Sequence, residues 1–361
     1  MPQELVLHFN TPTEFSIRYD DDDTGVLEFV NPIGDDAYQD LRWYLETYSA
    51  AYIAEPDEER AERTAQQLPL WGEALFKAVF LLEEAARRMF YRLQDEDEEK
   101  RYVTISAIFP EVLSLPWELL RDPVAKAYLF NENPRIAVRR SLKTRGGRKA
   151  RKVKPKKILR VLFVVSRPLG AGFIDPRLEA QAVLMALDEA KVNQVEVEFL
   201  RQATIDNLIN RLEDEDLPPV DIVHFDGHGV FDSTGQLAEK GVEMPGMKNK
   251  DLSGFENLTG LTCMGYLLFE DATGEKALVS ANTLGEMLHQ QRTSMIVLSA
   301  CQSAKVAGED ALNSVAAQLV HHGIPSVLAM TYSVLVSTAR LLFQEFYGLC
   351  CINHKYFLII S

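Results

Sequence analysis

Cysteine is scarce: 361 residues contain four, Cys263, Cys301, Cys350 and Cys351, with no CxxC pair and no regular spacing. That excludes a disulfide framework and a zinc ribbon, so no metal site is expected and a reducing cytosol fits best. No run approaches eighteen apolar residues, and the opening Met-Pro-Gln-Glu-Leu lacks a basic segment followed by an apolar one. Neither a membrane-spanning helix nor a secretory leader is therefore expected, and the chain reads as cytoplasmic, without a membrane partner. A GxxxxGKS/T loop is absent, and Gly170-Ala-Gly172 is too short a signal for a dinucleotide loop, so no cofactor is expected. There is no GxSxG elbow to suggest a serine hydrolase.

Basic charge is in deficit overall, with a net charge of −15, which argues against a generic nucleic-acid coat. The exception is Arg139 to Arg160, with twelve Lys and Arg and no acid, leaving the remainder at −27. Such a contrast marks a linker or exposed loop. No aromatic residue lies within it to stack on a base, so a nucleic-acid partner is not expected.

With 47% of its residues apolar, a chain of this length can bury one large core or two moderate ones, and typical domain size favours two units. Leu5 to Phe9, Phe15 to Tyr19 and Gly25 to Val30 alternate like strands around an acidic turn, suggesting a small meander. Helices are expected over Asp35 to Ala50, Asp57 to Gln67 and Gly72 to Leu93. The last carries Leu75, Val79, Leu82, Ala86, Met89 and Leu93 at helical spacing. Tyr102 to Ile108 and Arg135 to Val138 return to strand, and Pro116-Trp117-Glu118-Leu119-Leu120 between them reads as a helix start with a buried Trp.

Beyond the basic stretch, strands and helices alternate regularly. Strands are expected over Ile158 to Val165, over Val195 to Leu200, up to His224, over Met264 to Phe269, up to Ser299, and over Ser326 to Thr331. Helices fall at Pro176 to Ala190, Ile205 to Leu212, Asn282 to Gln290, Asp310 to His321 and Leu335 to Tyr347. This pattern predicts an α/β fold with a mostly parallel sheet and helices on both faces, preceded by a smaller mixed α/β unit. The units are read as residues 1–138, a basic linker or loop over 139–157, a second domain over 158–347, and an apolar tail over 348–361 that reads as a truncation scar.

Two strand ends carry the chemistry. Val220 to Gly229 brings out His228 between two glycines, and Ser294 to Ser303 brings out Cys301. Side chains just past the carboxyl ends of neighbouring parallel strands meet in one crevice, which is the geometry of a thiol and its base. An ordinary buried cysteine is the plainer reading of Cys301 alone. The N–H groups of Gly229 and Cys301 are candidate oxyanion donors. Glu309 and Asp310 serve either as a helix cap or, with Asp226, as a pocket for a basic substrate side chain. His224, inside an apolar strand, reads as a satisfied core residue.

His-Phe-Asp-Gly-His-Gly at 224–229, Leu-Ser-Ala-Cys-Gln-Ser at 298–303, Gly-Glu-Asp at 308–310 and Gly-Ile-Pro-Ser-Val-Leu-Ala-Met at 323–330 resemble the CHAT family of caspase-like cysteine peptidases, related to caspases, metacaspases and separases. Leu-Pro-Trp-Glu-Leu-Leu at 115–120 and Leu-Arg-Trp-Tyr-Leu-Glu at 41–46 resemble segments upstream of the catalytic portion in that family. The resemblance implies a caspase-like sheet over 158–347, with residues 1–138 as a pseudo-protease or scaffold half. Cys301 would be the nucleophile and His228 its assistant, with the N–H groups of Gly229 and Cys301 holding the oxyanion. It further implies a protein or peptide substrate, a sensor or tetratricopeptide-type partner, and a role in bacterial defence or signalling. The His-to-Cys spacing is 73 and Ser303 replaces the final Gly of the caspase signature, which argues against aspartate specificity. If a basic residue precedes the cut, Arg139 to Lys157 is a candidate self-processing site. The competing reading is a catalytically inactive CHAT-like interaction module.

Overall fold

A computed structural model describes residues 3–48, 57–95, 101–131, 135–142, 153, 156–172, 175, 177–189, 195–232, 264–300, 311–329 and 341–347. The chain falls into two compact units, Met1–Thr144 and Arg145–Ser361.

In the first unit, β1 (Gln3–Thr11) and β2 (Glu14–Tyr19) pair antiparallel, with Leu5 opposite Tyr19 and Phe9 opposite Phe15. Their alternation buries Leu5, Leu7, Phe9, Phe15, Ile17 and Tyr19. Two-residue strands β3 (Asp22–Asp23) and β4 (Leu27–Glu28) add to β2. The helices α1 (Asp35–Arg42), α2 (Glu58–Phe76) and α3 (Glu84–Asp95) come next, then β5 (Arg101–Ala107), which lies parallel to β1. After the short helix α4 (Pro110–Leu113) and the hairpin of β6 (Arg121–Asp122) and β7 (Ala127–Tyr128), β8 (Ile136–Leu142) joins β5 in parallel. The order is thus β3-β2-β1-β5-β8. The expected meander is one side of a mixed sheet, because the parallel pairing with β5 is a long-range contact that local alternation does not reveal.

The expected break between a polar helix and an apolar one lies elsewhere. Helix α2 continues through Pro69, and the bend falls at 82–83, leaving Leu82 61% exposed while Leu75, Val79, Ala86, Met89 and Leu93 stay buried. Continuing the helix through Pro69 forgoes one backbone hydrogen bond. It also carries Gly72, Leu75 and Phe76 into the core. Trp117 is buried as expected, donating from Nε1 to the Val112 carbonyl at 2.7 Å and packing near Phe9 and Phe29. Arg139 and Arg140, read as the start of a basic linker, belong to β8. Arg139 pairs with Glu4 at 2.9 Å, and Arg140 pairs with Glu118 while donating to the Leu113 and Leu115 carbonyls.

The second unit is α/β, as expected. Its elements are β9 (Leu159–Val165), α5 (Leu178–Glu189), β10 (Val195–Leu200), α6 (Ile205–Glu213), β11 (Ile222–Asp232), β12 (Met264–Glu270), β13 (Lys276–Ser280), α7 (Ala281–Gln290), β14 (Met295–Ala300), α8 (Ala311–His321) and β15 (Ser326–Ala329). Five strands run parallel in the order β10-β9-β11-β14-β15. Leu162 and Val164 of β9 pack on one face with α6, α7 and α8; Val161 and Phe163 pack on the other with α5 and the helix at 341–347. Burial on both faces explains why β9 reads as an unbroken apolar run. The side chains of Thr204 and Ser280 accept from the N–H groups of Asn207 and Thr283 and so start α6 and α7.

Two features differ from expectation. β11 does not end near His224 but runs on to Asp232, pairing antiparallel with β12 from His228 onward. β13, which was not expected, completes that antiparallel extension. The apolar tail after residue 347 and residues 233–263 lie outside the described residues. Among the described residues no helix is long and apolar enough to cross a membrane.

Gly72 sits where α2 passes the turn at Trp117–Leu119, and a Cβ there would lie 2.0 Å from the Leu119 carbonyl oxygen. Backbone cannot move aside as a side chain can, so Gly72→Ala should destabilise the first unit by about 1–3 kcal/mol. A denaturant midpoint equal to wild type would show that α2 and the Trp117 turn are not closely packed in solution.

Candidate active site

The carboxyl ends of β9, β11 and β14 converge on one region. The register pairs Asp226 of β11 with Val165 of β9 and with Ser299 of β14, and Gly227 with Ala300. There β9 ends, and β12 takes over its edge: the Ser166 hydroxyl donates to the Leu268 carbonyl at 2.7 Å. His228 is the first residue of β11 in the antiparallel register, opposite Leu268, with half-buried Gly229 opposite Leu267.

His228 is 3% exposed, and its Nε2 lies 3.0 Å from the carbonyl oxygen of Gly172 in the segment after β9. A carbonyl only accepts, so Nε2 carries the proton and the neutral ring keeps its basic lone pair on Nδ1. Burial holds the imidazole below the ordinary histidine range. The Gly172 bond opposes this, while the charges of Arg167 and Lys276 add to it. The ring is thus neutral near pH 7 and able to accept a proton.

Glycine residues flank His228 on both sides. The strand is continuous there, and Gly227 is needed for space: a Cβ would lie 2.8 Å from the Phe225 ring and 3.3 Å from the Ser166 Cβ. Asp226, read as lining a substrate pocket, is 2% exposed and faces inward. Its carboxylate accepts from Arg167 Nη2 at 2.7 Å, and Arg167 Nη1 reaches the Asp226 carbonyl, also at 2.7 Å. Arg167 is further placed by its own N–H, which donates to Glu270 at 2.8 Å.

His224 is a core residue, as expected. It is fully buried, stacks on Phe163 with ring centroids 4.2 Å apart, and meets the Tyr347 hydroxyl at 3.0 Å through Nδ1. Burial depresses its basicity, against the pull of Glu179. Among the described residues no cluster of three or more His, Cys, Asp or Glu could hold a metal ion. Cys301, Glu309 and Asp310 lie outside the described residues.

Sequence reasoning missed four contributors. Gly172 acts through its carbonyl, which leaves no residue-type signature. Arg167, Glu179 and Ser299 did leave one: each is a polar residue next to or inside an apolar run. The Ser299 hydroxyl donates to Glu179 Oε1, and both residues are buried.

The CHAT domain family matches residues 72–351. The chain belongs to the CHAT family. This is a caspase-like domain family, and its match begins within α2 of the first unit and spans the strand ends just described. A comparison with curated proteins finds no match.

Electrostatics at this site predict a pH dependence of stability. Burial, then the charge of Glu179, push the Asp226 carboxyl up from 3.8 to about 7, against the pull of Arg167. The folded chain therefore keeps a proton that the unfolded chain releases, and the stability tied to this group falls as pH rises from about 4 to about 7. Asp226→Asn cannot ionise, so its melting temperature should decline less across that window. An unchanged slope would assign the effect to another group.

Proposed function

We propose that this CHAT protein is a cysteine endopeptidase acting on a protein substrate, with Cys301 as nucleophile and His228 as its base and acid. The observation that carries the reading is the His228 ring, fixed by Gly172 with Nδ1 as its basic atom, on the strand whose neighbour β14 leads directly into Cys301. In this reading Nδ1 accepts the thiol proton as the sulfur attacks the peptide carbonyl carbon. The carbonyl oxygen becomes an oxyanion facing the N–H groups of Gly229 and Cys301. Collapse breaks the C–N bond, and His228 returns the proton to the leaving amine. Water then hydrolyses the thioester, regenerating the thiol and releasing the acid.

Glu309 and Asp310 are proposed to favour a basic or neutral residue before the cut. Asp226 is assigned instead to holding Arg167, since its carboxylate already accepts from that guanidinium. Among the described residues the charges that act on the His228 ring are those of Arg167 and Lys276.

Labelling by an uncharged, thiol-directed peptidyl ketone, mapped by mass spectrometry, tests the assignment. Cys301→Ala should abolish labelling and cleavage, and His228→Ala should slow both by roughly 10²–10⁴-fold. Labelling spread over Cys263, Cys350 and Cys351, with no preference for Cys301, would favour the interaction-module reading.

Self-processing supplies a second test. Arg139 and Arg140 are held in β8, so a cut within the basic stretch should fall between Lys143 and Lys157, and only when Cys301 is present. Intact mass of wild type and Cys301→Ala reads this directly; the same uncut mass for both discards the idea.

A further inference from the structure

Glu179 is a carboxylate in the first turn of α5, a helix that buries Val183 and Leu187 in the core, and it is itself only 3% exposed. The helix dipole favours an acid in a first turn, yet that preference is met equally well by an exposed one. Burial of the charge therefore needs a separate account, since an apolar residue of similar size would cost less in that place.

Its contacts supply one. Oε1 accepts from the Ser299 hydroxyl on β14, and Oε2 lies 3.4 Å from His224 Nε2 on β11. That second approach is too poorly aligned for a hydrogen bond, and neither atom has a hydrogen-bond partner among the described residues. Asp226, one β-repeat along from His224, faces the same region and feels the Glu179 charge. Along the chain, Ser299 stands two residues before Cys301, and Asp226 two before His228. The charged and titratable groups around Glu179 are thus His224 and Asp226 on β11, Ser299 on β14, Arg167 after β9 and, through His224, Tyr347 of the helix at 341–347.

We infer that Glu179 is a positioning residue for the proposed thiol site: one buried carboxylate beneath the sheet face ties the strand end entering Cys301 to the strand carrying His228. The role rests on the peptidase reading and extends it to a residue in neither motif. The tether acts through geometry, because a small displacement between nucleophile and base is costly to rate. It also acts through charge, since Glu179 adds to the effect of burial in raising the proton affinity of Asp226, which in turn holds Arg167 near the imidazole.

The test is the rate of Cys301 alkylation by iodoacetamide in the full chain across the neutral pH range, mapped by peptide mass, with thermal melting to establish folding. Glu179→Gln keeps the size and an acceptor for Ser299 but removes the charge; Ser299→Ala removes the hydroxyl and leaves the charge. Both should slow Cys301 alkylation by about tenfold or more, and Ser299→Thr should restore it. Glu179→Gln should also move to lower pH the inflection that Asp226 gives to melting temperature against pH, because a charge that raises that carboxyl is gone, whereas Ser299→Ala should leave that inflection in place. If Glu179→Gln does not fold, the two Ser299 variants decide the matter. Folded variants with wild-type rates and inflection overturn the positioning role alone, provided His228→Ala slows alkylation. A His228→Ala protein that alkylates as fast as wild type overturns the dyad, and the positioning role with it.

Discussion

The second unit depends on two carboxylates buried on one face of a parallel sheet with a single guanidinium beside them. Arg167 lies 2.7 Å from Asp226, and among the described residues Glu179 meets a serine hydroxyl and the His224 imidazole. Two negative charges buried beside one guanidinium would leave one of them uncompensated, at a cost of several kcal/mol. The structure resolves the conflict by letting Asp226 hold its proton up to about pH 7. One titrating proton thus sits beneath the strand ends, among Glu179, His224, Ser299 and Arg167.

Topology explains why the proton lies there. β11 is flanked by β9 and β14 in parallel up to Asp226 and Gly227, and from His228 it has the antiparallel hairpin of β12 and β13 on the edge that β9 vacates. A strand that changes partners in mid-course exposes backbone groups at the change. Ser166 covers part of that gap, its N–H donating to the Asp226 carbonyl at 2.9 Å and its hydroxyl to Leu268. The polar residues of the site gather where the sheet is least able to satisfy itself.

Local pattern disclosed what local forces decide. The β9 run, the β14 strand ending in polar residues and the buried Trp117 all follow from side-chain periodicity and burial, and the His228 motif could be placed on its strand. Pairing between distant segments was not legible. β5 aligns β1 in parallel, and β12 extends β11, through contacts that no short window contains. Two helices were expected on either side of Pro69, a polar one and an apolar one, whereas here α2 runs through Pro69 and packs Gly72 against the Leu119 turn. Asp226 shows a related limit. An acid beside a candidate catalytic histidine suggests a pocket, but strand alternation alone does not say which face is closed, and Arg167, fifty-nine residues away in sequence, is what closes it.

The imidazole of His228 leans through Nε2 on a backbone carbonyl, and that contact has a chemical consequence. A carboxylate at Nε2 would stabilise the imidazolium strongly and raise its basicity; the Gly172 carbonyl orients the ring with a weaker pull, which burial and two nearby cations outweigh. A thiol needs less help than a hydroxyl, because its own pKa already lies near neutrality. A weakly basic, firmly oriented histidine therefore suffices for cysteine and would serve a serine nucleophile poorly. A weakly basic, oriented imidazole is thus compatible with the thiol nucleophile proposed for Cys301.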